Sequence, residues 1–60
     1  MMLKVIKGDD ETFDMRIYIE DVKWVAIEQD NEKIVVLDAQ TAADMIKTLR
    51  KAAKKLGWKL

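Results

Sequence analysis

Hydrophobic periodicity changes once along this chain, and the change limits the folds open to it. Before Asp38 the apolar residues lie in short strand-like runs, clearest where Phe13, Met15, Ile17 and Ile19 alternate with Asp14, Arg16, Tyr18 and Glu20. That is the pattern of a half-buried strand. After Asp38 the period becomes helical. Ala42, Met45, Ile46, Leu49, Ala52, Ala53 and Leu56 fall on one stripe, with Lys47, Arg50, Lys51, Lys54 and Lys55 on the other side. Strands followed by one amphipathic helix predict an α+β domain in which the helix packs on one sheet face.

Turn chemistry divides the strand region into four. Met2–Lys7 is a first apolar stretch, and Gly8-Asp9-Asp10-Glu11 is a polar loop containing a residue that tolerates positive φ. Phe13–Glu20 follows, and Glu20-Asp21 can form a two-residue turn. Val22–Glu28 is rich in β-branched residues, Asp30-Asn31 is a second candidate tight turn, and Lys33–Leu37 completes the set. Asp38 is a good N-cap, with Thr41 and Asp44 spaced as a variant capping box that would start the helix a turn later. Gly57 suits the position just after the helix. The expected architecture is a four-stranded antiparallel β-meander with one C-terminal helix, ββββα, in a single domain over residues 1–60.

Register decides what each face carries. A two-residue turn at Glu20-Asp21 pairs Ile19 with Val22, Ile17 with Trp24 and Met15 with Ala26. One at Asp30-Asn31 pairs Ile27 with Ile34, Ala26 with Val35, Val25 with Val36 and Trp24 with Leu37. Phe13, Met15, Ile17, Ile19, Val22, Trp24, Ala26, Val35 and Leu37 then form the core face under the helix. Val25, Ile27, Ile34 and Val36 point the other way, beside Tyr18, Arg16 and Lys23. Four β-branched residues without cover form a patch of the size at which an interaction site is expected.

Sixty residues bury only about 60% of their unfolded surface, so a chain this short needs help to be stable. It has no cysteine, histidine, serine or proline. Disulfides, thiolate metal sites and the common nucleophile–base pairs are therefore excluded, and oligomerisation or tight packing remains. Sixty residues leave little room for a deep pocket, so neither an enzyme nor a small-molecule substrate is expected, and no cofactor is implied. The acidic loops lack the alternate-ligand spacing of a calcium site and are expected to be solvated turns. No apolar run has the length of a membrane span, and Met1–Lys7 is too short and polar for a targeting segment. An intracellular protein is the default expectation.

Net charge is zero, which weighs against a generic nucleic-acid binder. Charge is nevertheless segregated. Residues 1–32 hold nine acids and four bases, residues 33–60 two acids and seven bases. The two halves are expected to attract each other in one compact fold, with the basic helix face solvated and Trp58 folded back on the core.

Lys33-Ile34-Val35-Val36-Leu37-Asp38-Ala39-Gln40, running into Met45-Ile46 and Leu49, resembles the strand-to-helix junction of the transcriptional coactivator p15-like family. The resemblance covers the order of elements and about fifteen residues. It implies a ββββα subunit that dimerises and binds single-stranded DNA, with Arg16, Tyr18, Lys23 and Lys33 as the positions able to contact it. An aromatic flanked by bases on a sheet is a common way to stack and track a single strand. Two functional expectations follow. The leading one is a non-enzymatic interaction module that homodimerises or binds a protein partner through the uncovered sheet face, at Val25, Ile27, Ile34, Val36 and Tyr18. The alternatives are single-stranded nucleic-acid binding by the sheet, or a compact phage-type inhibitor of another macromolecule.

Overall fold

The computed structural model describes all 60 residues. Four strands, β1 (Met2–Ile6), β2 (Met15–Glu20), β3 (Trp24–Gln29) and β4 (Glu32–Val36), precede one helix, α1 (Ala39–Lys55). The strands form a single antiparallel sheet in the order β1-β2-β3-β4. The meander and its C-terminal helix are those read from the periodicity.

Both ends of α1 are built by the residues that signal them. Asp38 is extended (φ −148°, ψ 167°), and its Oδ1 accepts the Thr41 N–H at 2.8 Å. That bond also holds the Asp38 carboxyl below the usual range. The helix therefore starts at the earlier of the two possible turns. At the other end Gly57 takes φ 75°. The Gly57 N–H donates to Lys54 O at 3.2 Å and the Trp58 N–H to Ala53 O at 2.8 Å, a Schellman stop.

The β3–β4 hairpin has the expected register. Ile27 faces Ile34, Ala26 faces Val35 and Val25 faces Val36, around Asp30 at φ 55°. The β2–β3 hairpin does not. Its loop contains three residues, Asp21, Val22 and Lys23, so Ile19 faces Val25, Ile17 faces Ile27 and Met15 faces Gln29. Ile17 thus pairs three residues further along β3 than Trp24, the partner that a two-residue turn would give it. An odd shift turns every β2 side chain to the other side relative to β3. The apolar face now unites Ile17 and Ile19 with Val25, Ile27, Ile34 and Val36. Arg16, Tyr18 and Glu20 share the opposite face with Trp24, Ala26, Glu28, Lys33 and Val35.

Several residues expected in the core are exposed instead. Val22 sits in the turn, 95% exposed, and Phe13 and Leu37 lie outside the strands and are exposed. The loop takes positive φ at Asp21 (54°) and Val22 (57°). A β-branched side chain disfavours this region, and the left-handed conformation costs roughly 1–2 kcal/mol. With no packing to lose at position 22, Val22→Asn should stabilise the fold by about 1 kcal/mol, read as a higher urea midpoint. An unchanged or lower midpoint would argue against the left-handed turn.

The molecule is flat, 36 × 33 × 17 Å, and its radius of gyration is 13.0 Å. A compact chain of this length would have about 10 Å. Only Ala26, Val36 and Ala53 are buried. The helix leaves β4 on one side of the sheet but does not pack closely on it, so most of its apolar stripe stays exposed.

Candidate interaction surface

The helix stands on the side of the sheet opposite to the one expected from two tight turns, and does not close over it. Val25, Ile27 and Val36 border a cavity of about 200 Å³ whose other wall is Ala42, Met45, Ile46 and Leu49 of α1. The three-residue β2–β3 loop explains why this face is suited to the helix: it adds Ile17 and Ile19 to the β3 and β4 residues and so makes the larger apolar surface. The contact is nevertheless unfinished. Ile34 is 58% exposed, Ile46 52% and Leu49 65%. Strand and helix contribute two apolar walls that no part of the chain closes.

Total area gives the scale of this opening. The chain exposes 5525 Å², whereas a compact monomer of 7.0 kDa exposes about 4,000 Å². The surplus is about 1,500 Å², comparable with what one subunit buries in a large dimer interface.

The opposite face is polar and internally satisfied. Arg16 donates from Nε and Nη2 to Glu28 Oε1 at 3.0 and 2.7 Å, and the Tyr18 hydroxyl donates to Glu28 Oε2 at 3.2 Å. Lys33 Nζ donates to Glu20 Oε1 at 2.7 Å. Lys33 lies on β4 and Glu20 on β2, so this bridge crosses β3 at the level of Ala26. Ala26 is small enough to pass beneath it and is fully buried. The Arg16 hydrogen bond, and then that of Tyr18, hold the Glu28 carboxyl below its usual range. Desolvation, reinforced by the Glu28 bond, pushes the Tyr18 hydroxyl up, and the Glu20 bond raises Lys33.

These shifts set the direction of the acid response. A carboxylate whose pKa is lowered by folding stabilises the fold above its unfolded value, and loses that stabilisation as pH falls through the folded value. Glu28, Asp14 and Asp38 all shift down. Stability should therefore hold from neutral pH to just above the ordinary carboxylate range and fall below it. Glu28→Gln should flatten the fall, as measured by thermal melts across the acid range.

The sequence-predicted residues divide between the two faces. Val25, Ile27, Ile34 and Val36 stay together, on the helix side. Tyr18 is separated from them and lies with Arg16 and Lys33 on the polar face, where both bases are already paired with acids. Lys23 belongs to the β2–β3 loop, with its ammonium 5.9 Å from the Trp24 ring centroid. Ile17, Ile19, Met45, Ile46 and Leu49 join the apolar surface, which sequence pairing had assigned to a closed core. Their apolar periodicity was legible, but the parity of the loop that aims two of them was not.

Elsewhere the polar groups are structural. Asp9 Oδ1 accepts from the Glu11 and Thr12 N–H groups at 2.8 and 3.1 Å and from Thr12 Oγ1 at 3.2 Å, making the acidic loop a tight Asx turn. No group of three or more acidic side chains is placed to hold a metal ion. No helix is long and apolar enough to cross a membrane. Compared with protein-family models, with curated proteins and with solved structures, the chain finds no match.

Proposed function

We propose that this chain is a small, non-enzymatic interaction module that acts as a homodimer, closed over the open layer between α1 and the sheet. The surplus of about 1,500 Å² carries this reading, because a second copy can supply cover on that scale. A second copy also brings the right chemistry. Its own Ile34, Ile46 and Leu49 are equally uncovered, so a two-fold interface lets each chain meet the other's need. The p15-like resemblance at the β4–α1 junction supports the same reading, since that family's subunits dimerise.

A non-enzymatic role is supported by the absence of serine, cysteine and histidine and by the pairing of Glu28 and Glu20 with bases. Sheet-face binding of single strands has less support, because Arg16 and Lys33 are already charge-paired.

The deciding measurement is molar mass in solution at tens of micromolar, by sedimentation or light scattering. Twice the chain mass is expected. A folded monomer at that concentration overturns the homodimer, and a different protein would then have to cover the layer.

A further inference from the structure

Two apolar surfaces of this chain have no counterpart within it. One lies on α1. The helix makes no close approach to any strand. Its stripe borders the chain's own sheet only across the open recess, where Ala42, Met45, Ile46 and Leu49 stand opposite Val25, Ile27 and Val36. Past Leu49 the stripe continues through Ala52 and Leu56, both exposed, with Leu56 at 63%. The other surface lies on the sheet. Ile6, Ile17 and Ile19 carry the apolar face across β1 and β2, beyond the β3 and β4 residues that line the recess. A helical stripe without a sheet and a sheet face without a helix are complementary halves of one packed layer pair.

The connector explains why one chain does not join them. β4 ends at Val36 and α1 begins at Ala39, so Leu37 and Asp38 alone link them. Three Cα steps span about 10 Å when extended. Asp38 is extended and is fixed there by its capping bond to Thr41. Packed layers are themselves about 10 Å apart. The link is thus used up in leaving the plane of the sheet, with no slack to lay the helix back across β3 towards β2. A short hinge that opposes closure within one chain favours exchange of the element between two.

We infer that two copies exchange helices: each α1 seats its stripe, through Leu49 and Leu56, on the partner's apolar sheet face over Ile17 and Ile19. This rests on the homodimer proposed above and specifies how it closes. At 1.5 Å per residue α1 is about 25 Å long, enough to run past its own layer and across a four-stranded sheet about 15 Å wide. The exchange keeps charge in water, because Lys47, Lys51 and Lys54 lie about 140–160° around the helix from Leu49. A dimer in which helix merely abuts helix would cover Leu49 but leave Ile17 and Ile19 without a helix above them.

Two measurements test the exchange. In a mixture of isotope-labelled and unlabelled chains, filtered NOEs should connect the Leu49 and Leu56 methyl groups of one chain with those of Ile17 and Ile19 of the other. Insertion of Gly-Ser-Gly-Ser between Leu37 and Asp38 should convert dimer into monomer at tens of micromolar, with helix content by circular dichroism unchanged. The longer link lets α1 close on its own sheet at an effective concentration of about 1 mM, roughly thirtyfold above that of a second chain. The same methyl contacts should then appear within one chain. A wild-type dimer whose interchain NOEs join only helix to helix overturns the exchange and leaves the dimer reading standing. So does a folded insertion variant that dimerises as tightly as the wild type. Should that variant not fold, the NOEs of the wild type still decide. A wild-type monomer at this concentration overturns both readings.

Discussion

Leu49→Glu should convert the protein from dimer to monomer while leaving its secondary structure intact. Leu49 borders the open layer but is 65% exposed within its own chain. A glutamate there stays in water in the monomer, and at a helical position its backbone cost is small. In the dimer the same carboxylate would be sealed among Ile46, Met45 and the partner's apolar side chains. An unpaired buried charge costs several kcal/mol, and about 4 kcal/mol raises Kd by about a thousandfold. Sedimentation at tens of micromolar, with circular dichroism as the folding control, gives the answer. Ile27→Glu acts on the same layer but is less diagnostic, because Ile27 also lines the recess shared with the chain's own helix. Lys51→Glu, on the opposite side of α1, should leave the dimer whole. If Leu49→Glu sediments as a dimer with unchanged affinity, the layer is not the interface.

Gly8→Ala should destabilise the fold by about 1–3 kcal/mol, the range for forcing extra atoms into a filled site. The sequence suggested glycine here for positive φ, but Gly57 is the only glycine in that region of backbone space. Position 8 needs glycine for space. A Cβ would meet Thr12 O at 2.3 Å and the Phe13 carbonyl carbon and oxygen at 2.8 Å, all of them backbone atoms that cannot rotate away. The Gly8 N–H also donates to Asp14 Oδ1 at 2.8 Å, and this bond, followed by that from Lys7, holds the Asp14 carboxyl down. Moving the backbone to admit a methyl group would therefore strain the loop that returns β1 to β2. Gly57→Ala is the informative comparison. Nothing lies within 4 Å of a Cβ there, so only the left-handed backbone penalty of roughly 1 kcal/mol applies. Urea denaturation of both variants separates the two causes. A Gly8→Ala midpoint equal to that of the wild type would mean that the 8–13 loop is more open than its geometry indicates.

The polar face and the helix differ in how their charges are met. Arg16, Tyr18 and Lys33 were the residues best placed, by sequence, to track a single strand. Their acids stand within hydrogen-bond reach, Glu28 on the strand next to β2 and Glu20 across β3 from Lys33, so the bases on this face are neutralised. The bases of α1 have no such partners, since none of the chain's ion pairs includes a helix residue. They form the exposed face expected of them, and Trp58 lies beside Arg50 and Lys54, not on the sheet.

Local chemistry determined much of this protein. Alternation marked β2, short β-branched runs between turn residues marked β3 and β4, the 3.6-residue stripe produced the helix, and Asp38 and Gly57 set its ends. Asp30-Asn31 is a genuine two-residue turn, so the grouping of Val25, Ile27, Ile34 and Val36 on one face was legible from the sequence. The tertiary structure alone decided what faces that group. The side of β2 depends on the parity of one loop, and a positive-φ valine at position 22 gives no sequence signal for a third loop residue. The same shift brought Ile17 and Ile19 to the helix side and sent Tyr18 away. The extent of cover was also beyond sequence reading, because it depends on where a 17-residue helix leaves its last strand. That angle sets how much apolar wall one chain can close, and here it leaves the layer open.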